Sequence, residues 1–296
     1  MLLTLMAQSD TIPTEAAVSS SPAPFWDTPS IVVSTIGLSI LVIWLCWYGG
    51  FGSLRHAPVR RNRLFLFLPM LIFSFWLILE YVAVEWVRLI FDGFRITSLD
   101  TAIYVTMTVL RIWLIVMMLV IAHRTFARRL KGFGLNFRTV GKDAGLALIY
   151  LAAVYPLILI ALWIVTSLGR LVAGDGFDVQ THESLTFLSE TDGFSLRLLI
   201  VFFAVIVVPV FEEMLFRGFF QTMLRSLTQN AWLSIVVNSA LFAIVHYPNW
   251  THIPSLFILS CGLGYAYERS GSLLRPILMH VFFNGLSVAM TFLASS

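Results

Sequence analysis

The sequence predicts an all-α membrane protein, a bundle of about eight transmembrane helices that folds as one unit in lipid. Of the 296 residues, 58% are hydrophobic and only 12% are charged, whereas a soluble domain carries about 25% charged residues. The mean hydropathy is +0.88. The apolar residues are also concentrated in separate runs along the chain, each bounded by polar or basic residues.

Eight apolar runs can be followed in order from the N-terminus. They cover 31–50, 64–87, 102–122, 144–168, 196–216, 231–247, 254–267 and 273–294. Most approach the length of about 20 residues with which a helix spans a bilayer. The seventh run is short and contains glycine, so it predicts a partial or tilted span.

The runs divide the chain into three regions. Residues 1–29 are rich in Ser, Pro, Thr and Ala and contain no Lys or Arg, which predicts a flexible tail without the charged region of a signal peptide. Residues 30–195 hold the N-terminal membrane helices and an acidic outer loop at 169–195. Residues 196–294 form the C-terminal membrane core. The two cysteines, Cys46 and Cys261, lie in apolar runs without metal-ligand spacing, so neither a metal site nor a structural disulfide is expected from them.

The distribution of basic residues predicts the orientation in the membrane. If the N-terminus is outside and the runs alternate, the outer loops hold only Arg95 and Arg170. Basic residues are enriched in cytoplasmic loops, so we predict an integral membrane protein with its N-terminus outside and its basic loops in the cytoplasm. The net charge of +3 then reflects contacts with membrane lipids, and nucleic acid is not expected as a partner. The fourteen inner-loop residues are Arg55, Arg60, Arg61, Arg63, Arg124, Arg128, Arg129, Lys131, Arg138, Lys142, Arg217, Arg225, Arg269 and Arg275.

A charged residue near the middle of the third run and charged residues at the outer end of the second run predict a contact between helices. Arg111 lies near the centre of its run, and Glu80, Glu85 and Arg88 lie at the outer end of the run before it. Charged side chains inside a membrane pair with one another. We therefore expect an interhelical salt bridge of Arg111.

Two adjacent acids, Glu212 and Glu213, interrupt the most apolar part of the fifth run. A charged group at the centre of a membrane helix costs about 2.5–3.5 kcal/mol on insertion scales. A chain does not normally keep two such groups side by side without a use. This pair therefore marks the candidate active site.

Two of the six histidines, His246 and His280, lie within apolar runs, and both follow the glutamate pair. A site that activates water needs a carboxylate base and one or two imidazoles, either as metal ligands or as hydrogen-bond partners. If the helix of Glu213 ends near residue 227, Glu213 and His246 lie at about the same height, about 21 and 22 Å from the inner ends of their helices. His280 lies only about 10 Å from the inner end of its helix, so a tilt or a bend must bring it to the site.

Helical spacing adds two further polar residues. Arg217 is four residues after Glu213 and Asn284 is four after His280, so each pair shares a helix face. Asn284 could hold a substrate carbonyl or stabilise an oxyanion. Pro209 removes a backbone donor and leaves a carbonyl near residue 205 that another group must satisfy.

Together these residues form three motifs, which occur in order on consecutive runs. The strings are Glu212-Glu213-Met-Leu-Phe-Arg217, Phe242-Ala-Ile-Val-His246 and His280-Val-Phe-Phe-Asn284. They resemble the Glu-Glu-x-x-x-Arg, Phe-x-x-x-His and His-x-x-x-Asn motifs of the CPBP family, which comprises the type II CAAX prenyl endopeptidases and their bacterial relatives, the Abi proteins. The resemblance covers about residues 196–290, so it identifies 196–294 as a CPBP-like catalytic membrane core.

The resemblance implies an intramembrane protease, expected in the bacterial plasma membrane, and a role for each motif residue. Glu212 is the expected base that activates water, Glu213 assists it, and Arg217 orients the pair. His246 and His280 are expected to bind the water or a metal, and Asn284 is expected to form the oxyanion site.

The mechanism and the cofactor stay open at this point. The family has been described both as a zinc-type metalloprotease and as a metal-free glutamate protease. No cofactor is certain, and zinc is the one candidate, with His246, His280 and Glu212 as its expected ligands. The sequence has no His-Glu-x-x-His motif.

The sequence thus predicts an endopeptidase that hydrolyses a peptide bond of a membrane-anchored protein or peptide, with water entering from the cytoplasmic side. Three alternatives remain. The glutamates could form a structural ion pair with Arg217, the protein could be a non-enzymatic scaffold or bacteriocin-immunity-type protein, or the carboxylates could relay protons in a transporter. A transporter would favour inverted repeats with paired broken helices, and the sequence shows none.

Overall fold

The computed structural model describes residues 29–50, 52–54, 57–94, 99–174, 177, 188 and 193–295. Within these ranges the chain forms helices and no strands, apart from one isolated bridge between Asn62 and Phe126. The predicted all-α bundle is therefore confirmed. The helices are α1 Pro29–Tyr48, α2 Leu68–Phe94, α3 Leu99–Thr125, α4 Arg129–Phe133, α5 Val140–Ala173, α6 Phe194–Thr228, α7 Ala231–Ile244, α8 Ile253–Ser270 and α9 Leu274–Ser295.

Five of these helices are long and apolar enough to cross a membrane, namely those that contain Leu68–Phe91, Leu99–Thr125, Phe137–Ala173, Phe194–Thr228 and Leu274–Leu293. Two shorter apolar helices cover Ser30–Trp44 and Ala231–Ile244. Each of the eight predicted runs coincides with one helix. The largest difference is in α6, which continues beyond the predicted end at 216 and reaches Thr228.

Two of the predicted regions lie mainly outside the described residues. Of the tail at 1–29, only Pro29 is described, and it begins α1. Most of the acidic loop at 169–195 is likewise outside the described ranges. The predictions of a flexible tail and an outer loop therefore stay predictions.

Helix α6 forms the centre of the main hydrophobic core. Its phenylalanines Phe211, Phe216 and Phe219 are fully buried and belong to a cluster that also includes residues of α2, α3, α7 and α9. Helix α8 packs on α7 and α5, and α9 packs on α5 as well. Every residue of α6 from Phe211 to Met223 is buried, so this helix presents its polar side chains to protein rather than to lipid.

The predicted salt bridge of Arg111 joins α3 to α2. Its Nη2 donates to both carboxylate oxygens of Glu80 at 3.0 Å, and the indole of Trp76 donates to the same carboxylate. The charges are thus paired in the bundle, as the position of Arg111 in its run predicted.

Candidate active site

The glutamate pair lies in a short α-helical part of α6, Val208–Glu213, between two π-helical segments. The π segments cover Phe203–Val207 and Met214–Gln221. A π turn adds a residue to a helical turn and is frequent at functional sites. The widened turns change which side chains of α6 face α8 and α9, and so they set the direction of the two glutamates.

Glu213 is the centre of the site's hydrogen bonds. Its Oε1 accepts from Arg217 Nη1 at 2.7 Å and from His280 Nδ1 at 2.9 Å. Glu213 and Arg217 are completely buried, and His280 is nearly so. The predicted pairing of Glu213 with Arg217 is therefore confirmed. His280 also reaches the site, although simple helical heights had placed it too low.

Arg217 connects α6 to α8 through a residue that the sequence analysis did not identify. Its Nη2 donates to Ser260 Oγ at 2.7 Å and to the Ser260 carbonyl at 3.3 Å. Its guanidinium also lies 4.7 Å from the ring centroid of Phe242. With Nη1 on Glu213, the forked guanidinium holds the carboxylate against two neighbouring helices.

His246 lies two residues beyond the end of α7. The sequence had predicted a position inside the apolar run. It precedes the 3₁₀ turn Tyr247–His252. Its Nδ1 donates to the carbonyl of Phe242 at 2.8 Å, which leaves Nε2 as an acceptor. The ring of Phe242 lies 4.9 Å from that of His246 and 6.1 Å from that of His280, so Phe242 forms a wall between the two imidazoles.

Glu212 and Asn284 complete the predicted set. Glu212 is 7% exposed, and within the described part of the chain it makes neither a hydrogen bond nor an ion pair. Its carboxylate lies within electrostatic range of His246. Asn284 uses Nδ2 to donate to the backbone carbonyl of Ala204 at 2.8 Å. The site thus brings Glu213, Arg217 and His280 into direct contact and places the other three around them.

A second buried polar group lies one turn further along α6. Gln221 Nε2 donates to the carbonyl of Gly264 at 3.0 Å and to Glu268 Oε1 at 3.1 Å. Arg60 pairs with Glu268 at 3.6 Å. Glu213, Arg217 and Gln221 follow one another at intervals of four, and this spacing is the signal in the sequence by which Gln221 could have been found.

The burial of Arg217 corrects the count of basic loop residues. Arg217 was expected in an inner loop, but it lies within α6 and is completely buried. Its charge is balanced by Glu213, so it carries no information about orientation. The remaining thirteen inner residues still outnumber Arg95 and Arg170.

The proposed zinc ligands are of suitable types but are not arranged as a metal site. Imidazole nitrogens and carboxylate oxygens are common zinc ligands. Among the described residues, however, there is no group of three or more His, Cys, Asp or Glu side chains that could hold a metal ion. His280 directs Nδ1 to Glu213 and His246 directs Nδ1 to a backbone carbonyl, so a metal could bind these histidines only through Nε2. Because the three expected ligands do not form a group that could hold a metal ion, the arrangement does not fit the three-ligand zinc site.

Comparison with known proteins matches the motif-bearing part of the chain to a protease family. Residues 194–286 match the family described as type II CAAX prenyl endopeptidase Rce1-like. A relative from Escherichia coli, described as an uncharacterized 24.3 kDa protein, is 37% identical over 89 residues. That alignment covers 29% of this chain and 40% of the relative, so the chain spans less than half of the relative's length. No solved structure matches the chain.

Proposed function

Because residues 194–286 match the type II CAAX prenyl endopeptidase Rce1-like family, we propose that this protein is an intramembrane endopeptidase. It hydrolyses a peptide bond of a membrane-associated protein or peptide by means of a water activated by glutamate and histidine. The observation that carries the proposal is the double hydrogen bond of Glu213 Oε1, which accepts from Arg217 and His280 in a fully buried position beside Glu212.

Glu213 is a positioning residue in this proposal. Its contact with Arg217 stabilises the ionised carboxylate in a dry environment. The carboxylate in turn fixes the tautomer of His280, because Nδ1 must carry the proton that it donates to Oε1. His280 Nε2 is then an acceptor, as is Nε2 of His246.

Glu212 is the proposed general base. It has no hydrogen-bond partner among the described residues, so its oxygens can accept a proton from a water whose second hydrogen is held by the Nε2 atom of His246 or of His280. The water oxygen attacks the carbonyl carbon of the scissile bond while its proton passes to Glu212. The resulting tetrahedral intermediate carries a negative oxygen.

Asn284 is the proposed donor to that oxygen. Its Nδ2 carries two hydrogens, and one is used by the Ala204 carbonyl, so the second can donate to the oxyanion. When the C–N bond breaks, Glu212 returns its proton to the leaving amine. The products are a new carboxylate and a new amino terminus, and the base is regenerated.

The test is the appearance of new protein termini in membranes. We would compare termini by mass spectrometry in cells that produce the wild-type chain, Glu212→Gln or His246→Ala. Loss of a general base is expected to reduce cleavage by about 10²–10⁴-fold. Glu85→Gln, which changes a half-buried acid of α2, is the matched control and should cleave normally.

The same comparison separates the enzyme from its alternatives. A scaffold or an immunity protein would generate no termini that depend on Glu212. If Glu212→Gln and His246→Ala accumulate to normal levels and produce every fragment that the wild type produces, the proposed hydrolysis is wrong.

A further inference from the structure

The short length of α7 places the connection between α7 and α8 inside the expected thickness of the membrane. Helix α7 has 14 residues and is therefore about 20 Å long, whereas the hydrocarbon core is about 30 Å thick. A helix that begins at one face of the bilayer and ends after about 20 Å cannot reach the other face. Residues 245–252, which follow α7 and include His246, are thus at the depth of the site.

The lengths of the neighbouring helices place this connection close to the level of Arg217. The bond between Arg217 and Ser260 fixes α6 and α8 at one height. From Ser260, α8 continues only to Ile253, about 10 Å, whereas α6 continues from Arg217 to Phe194 for about 34 Å. The connection is therefore recessed by roughly 20 Å below the N-terminal end of α6.

The backbone of the connection requires polar surroundings at that depth. It forms a 3₁₀ turn rather than an α-helix, and Asn249 has a non-helical conformation at φ −95° and ψ 57°. Irregular backbone is tolerated within a membrane only where it is buried in protein or lines a water-filled cavity. Tyr247 and Trp250 are 69% and 55% exposed, so the turn is not buried in protein. From the rule for irregular backbone we infer that it lines water.

The opposite direction, along α6 toward Thr228, is closed by packed side chains. Arg217, Phe219 and Gln221 are completely buried. Beyond them, Tyr267 is also completely buried and bonds to Thr222 and to the carbonyl of Phe133. Water and substrate therefore reach Glu212 from the side of the α7–α8 connection and not past Gln221.

The basic residues lie at the closed end. Asp143 at the start of α5 pairs with Arg275 at the start of α9, and the loop that contains Gly134 is bonded to Leu273 at the same end. Basic loops mark the cytoplasmic face.

We propose that the site opens to the extracytoplasmic face and takes its substrate from there. The substrate is then a membrane-anchored protein or peptide whose cleaved bond lies at the outer side of the bilayer. The statement about substrate rests on the proposed function, whereas the direction of access does not. This direction is the reverse of the one that the sequence alone suggested.

Labelling of single cysteines tests the direction of access without any need for catalysis. The background is the full chain with Cys46→Ser and Cys261→Ser. Tyr247→Cys probes the connection, His246→Cys probes the site itself, and Phe137→Cys is the control at the basic end, where Phe137 is 70% exposed. Intact bacterial cells are treated with a membrane-impermeant maleimide, before and after the membrane is disrupted, and labelling in detergent defines the maximum.

We expect the cysteines at 247 and 246 to be labelled in intact cells, and the cysteine at 137 to be labelled only after disruption. Labelling at 247 only after disruption overturns the proposal, as does labelling of 247 and 137 from the same face. Absence of labelling at 247 before and after disruption, with full labelling in detergent, also overturns it. None of these results bears on hydrolysis, which the Glu212→Gln comparison tests separately.

Discussion

The side-chain amide of Asn284 on α9 donates a hydrogen bond of 2.8 Å to the backbone carbonyl of Ala204 on α6. The register of α6 explains this contact. In the π segment the N–H of Val208 bonds to the carbonyl of Phe203, five residues earlier. The next N–H would serve the carbonyl of Ala204, but residue 209 is proline and has none. Asn284 therefore supplies the donor that Pro209 lacks.

We expect Asn284→Ala to destabilise the protein by about 1–3 kcal/mol, because it leaves a half-buried carbonyl without a donor. In a Pro209→Ala background the new backbone N–H can serve Ala204, and the same substitution should cost clearly less. Thermal unfolding in detergent of the wild type, Asn284→Ala, Pro209→Ala and the double variant measures the loss of stability in each background. Equal losses in both backgrounds would show that the amide does not substitute for the missing N–H.

The same pair of backgrounds separates the two roles of Asn284. If its second hydrogen also stabilises an oxyanion, Asn284→Ala should reduce kcat by about 10²–10³-fold even where Pro209→Ala has restored stability. A double variant that regains both stability and cleavage would assign Asn284 to structure alone.

The motif residues could be predicted from sequence because each is a charged or polar residue in an apolar run. Glu213 and Arg217 follow from helical spacing, and the contact between them is present. The donor for the carbonyl freed by Pro209 could be expected, but its position could not. Counting back four residues gives Val205, and the π turn moves the free carbonyl to Ala204. That turn depends on packing against α9, which no local pattern in α6 specifies.

Ser260 and the exact position of His280 depend on tertiary structure in the same way. A serine in an apolar run resembles any small helix residue, and only the approach of α8 to α6 makes Ser260 an acceptor for Arg217. His280 appeared too low because heights were counted along straight, parallel α-helices. Two π segments in α6 shorten the rise for each residue and so account for part of the difference in height.

We expect Ser260→Ala to lower kcat while KM changes little. Without the hydroxyl, Arg217 keeps Glu213 but loses its shortest bond to α8, and the carboxylate can shift. Displacement of a catalytic group by about 1 Å can cost about 10²-fold in rate, so the decrease should be at most of that order. Kinetics on a substrate found by the comparison of termini would measure it.

Ser255→Ala is the matched control for that prediction. Ser255 is also buried on α8, but its hydroxyl donates to the backbone of His252 rather than to a site residue. Its substitution should leave kcat unchanged. A similar loss of kcat in both variants would indicate a general disturbance of α8 and not a role of Ser260 at the site.

Close packing at Gly218 predicts a purely structural effect beside the site. A Cβ at this position would lie 2.3 Å from the ring of Phe133, and Phe133 is completely buried. Gly218→Ala should therefore destabilise the protein by about 1–3 kcal/mol through overpacking. Gly145→Ala, with no atom within 4 Å of the added Cβ, should be neutral or stabilising by up to about 1 kcal/mol. Unfolding temperatures in detergent compare the two, and an undisturbed Gly218→Ala variant would contradict the packing.

The positions of the candidate ligands predict that cleavage does not require zinc. The described residues include Glu212, His246 and His280 and contain no group of three His, Cys, Asp or Glu side chains that could hold a metal ion. The purified protein should therefore contain much less than one zinc per chain, and a chelator should leave its rate of cleavage unchanged. Metal analysis and kinetics on one preparation measure both quantities. One zinc per chain, together with activity that a chelator abolishes and zinc restores, would show that Glu212, His246 and His280 rearrange around a metal and would refute the metal-free mechanism.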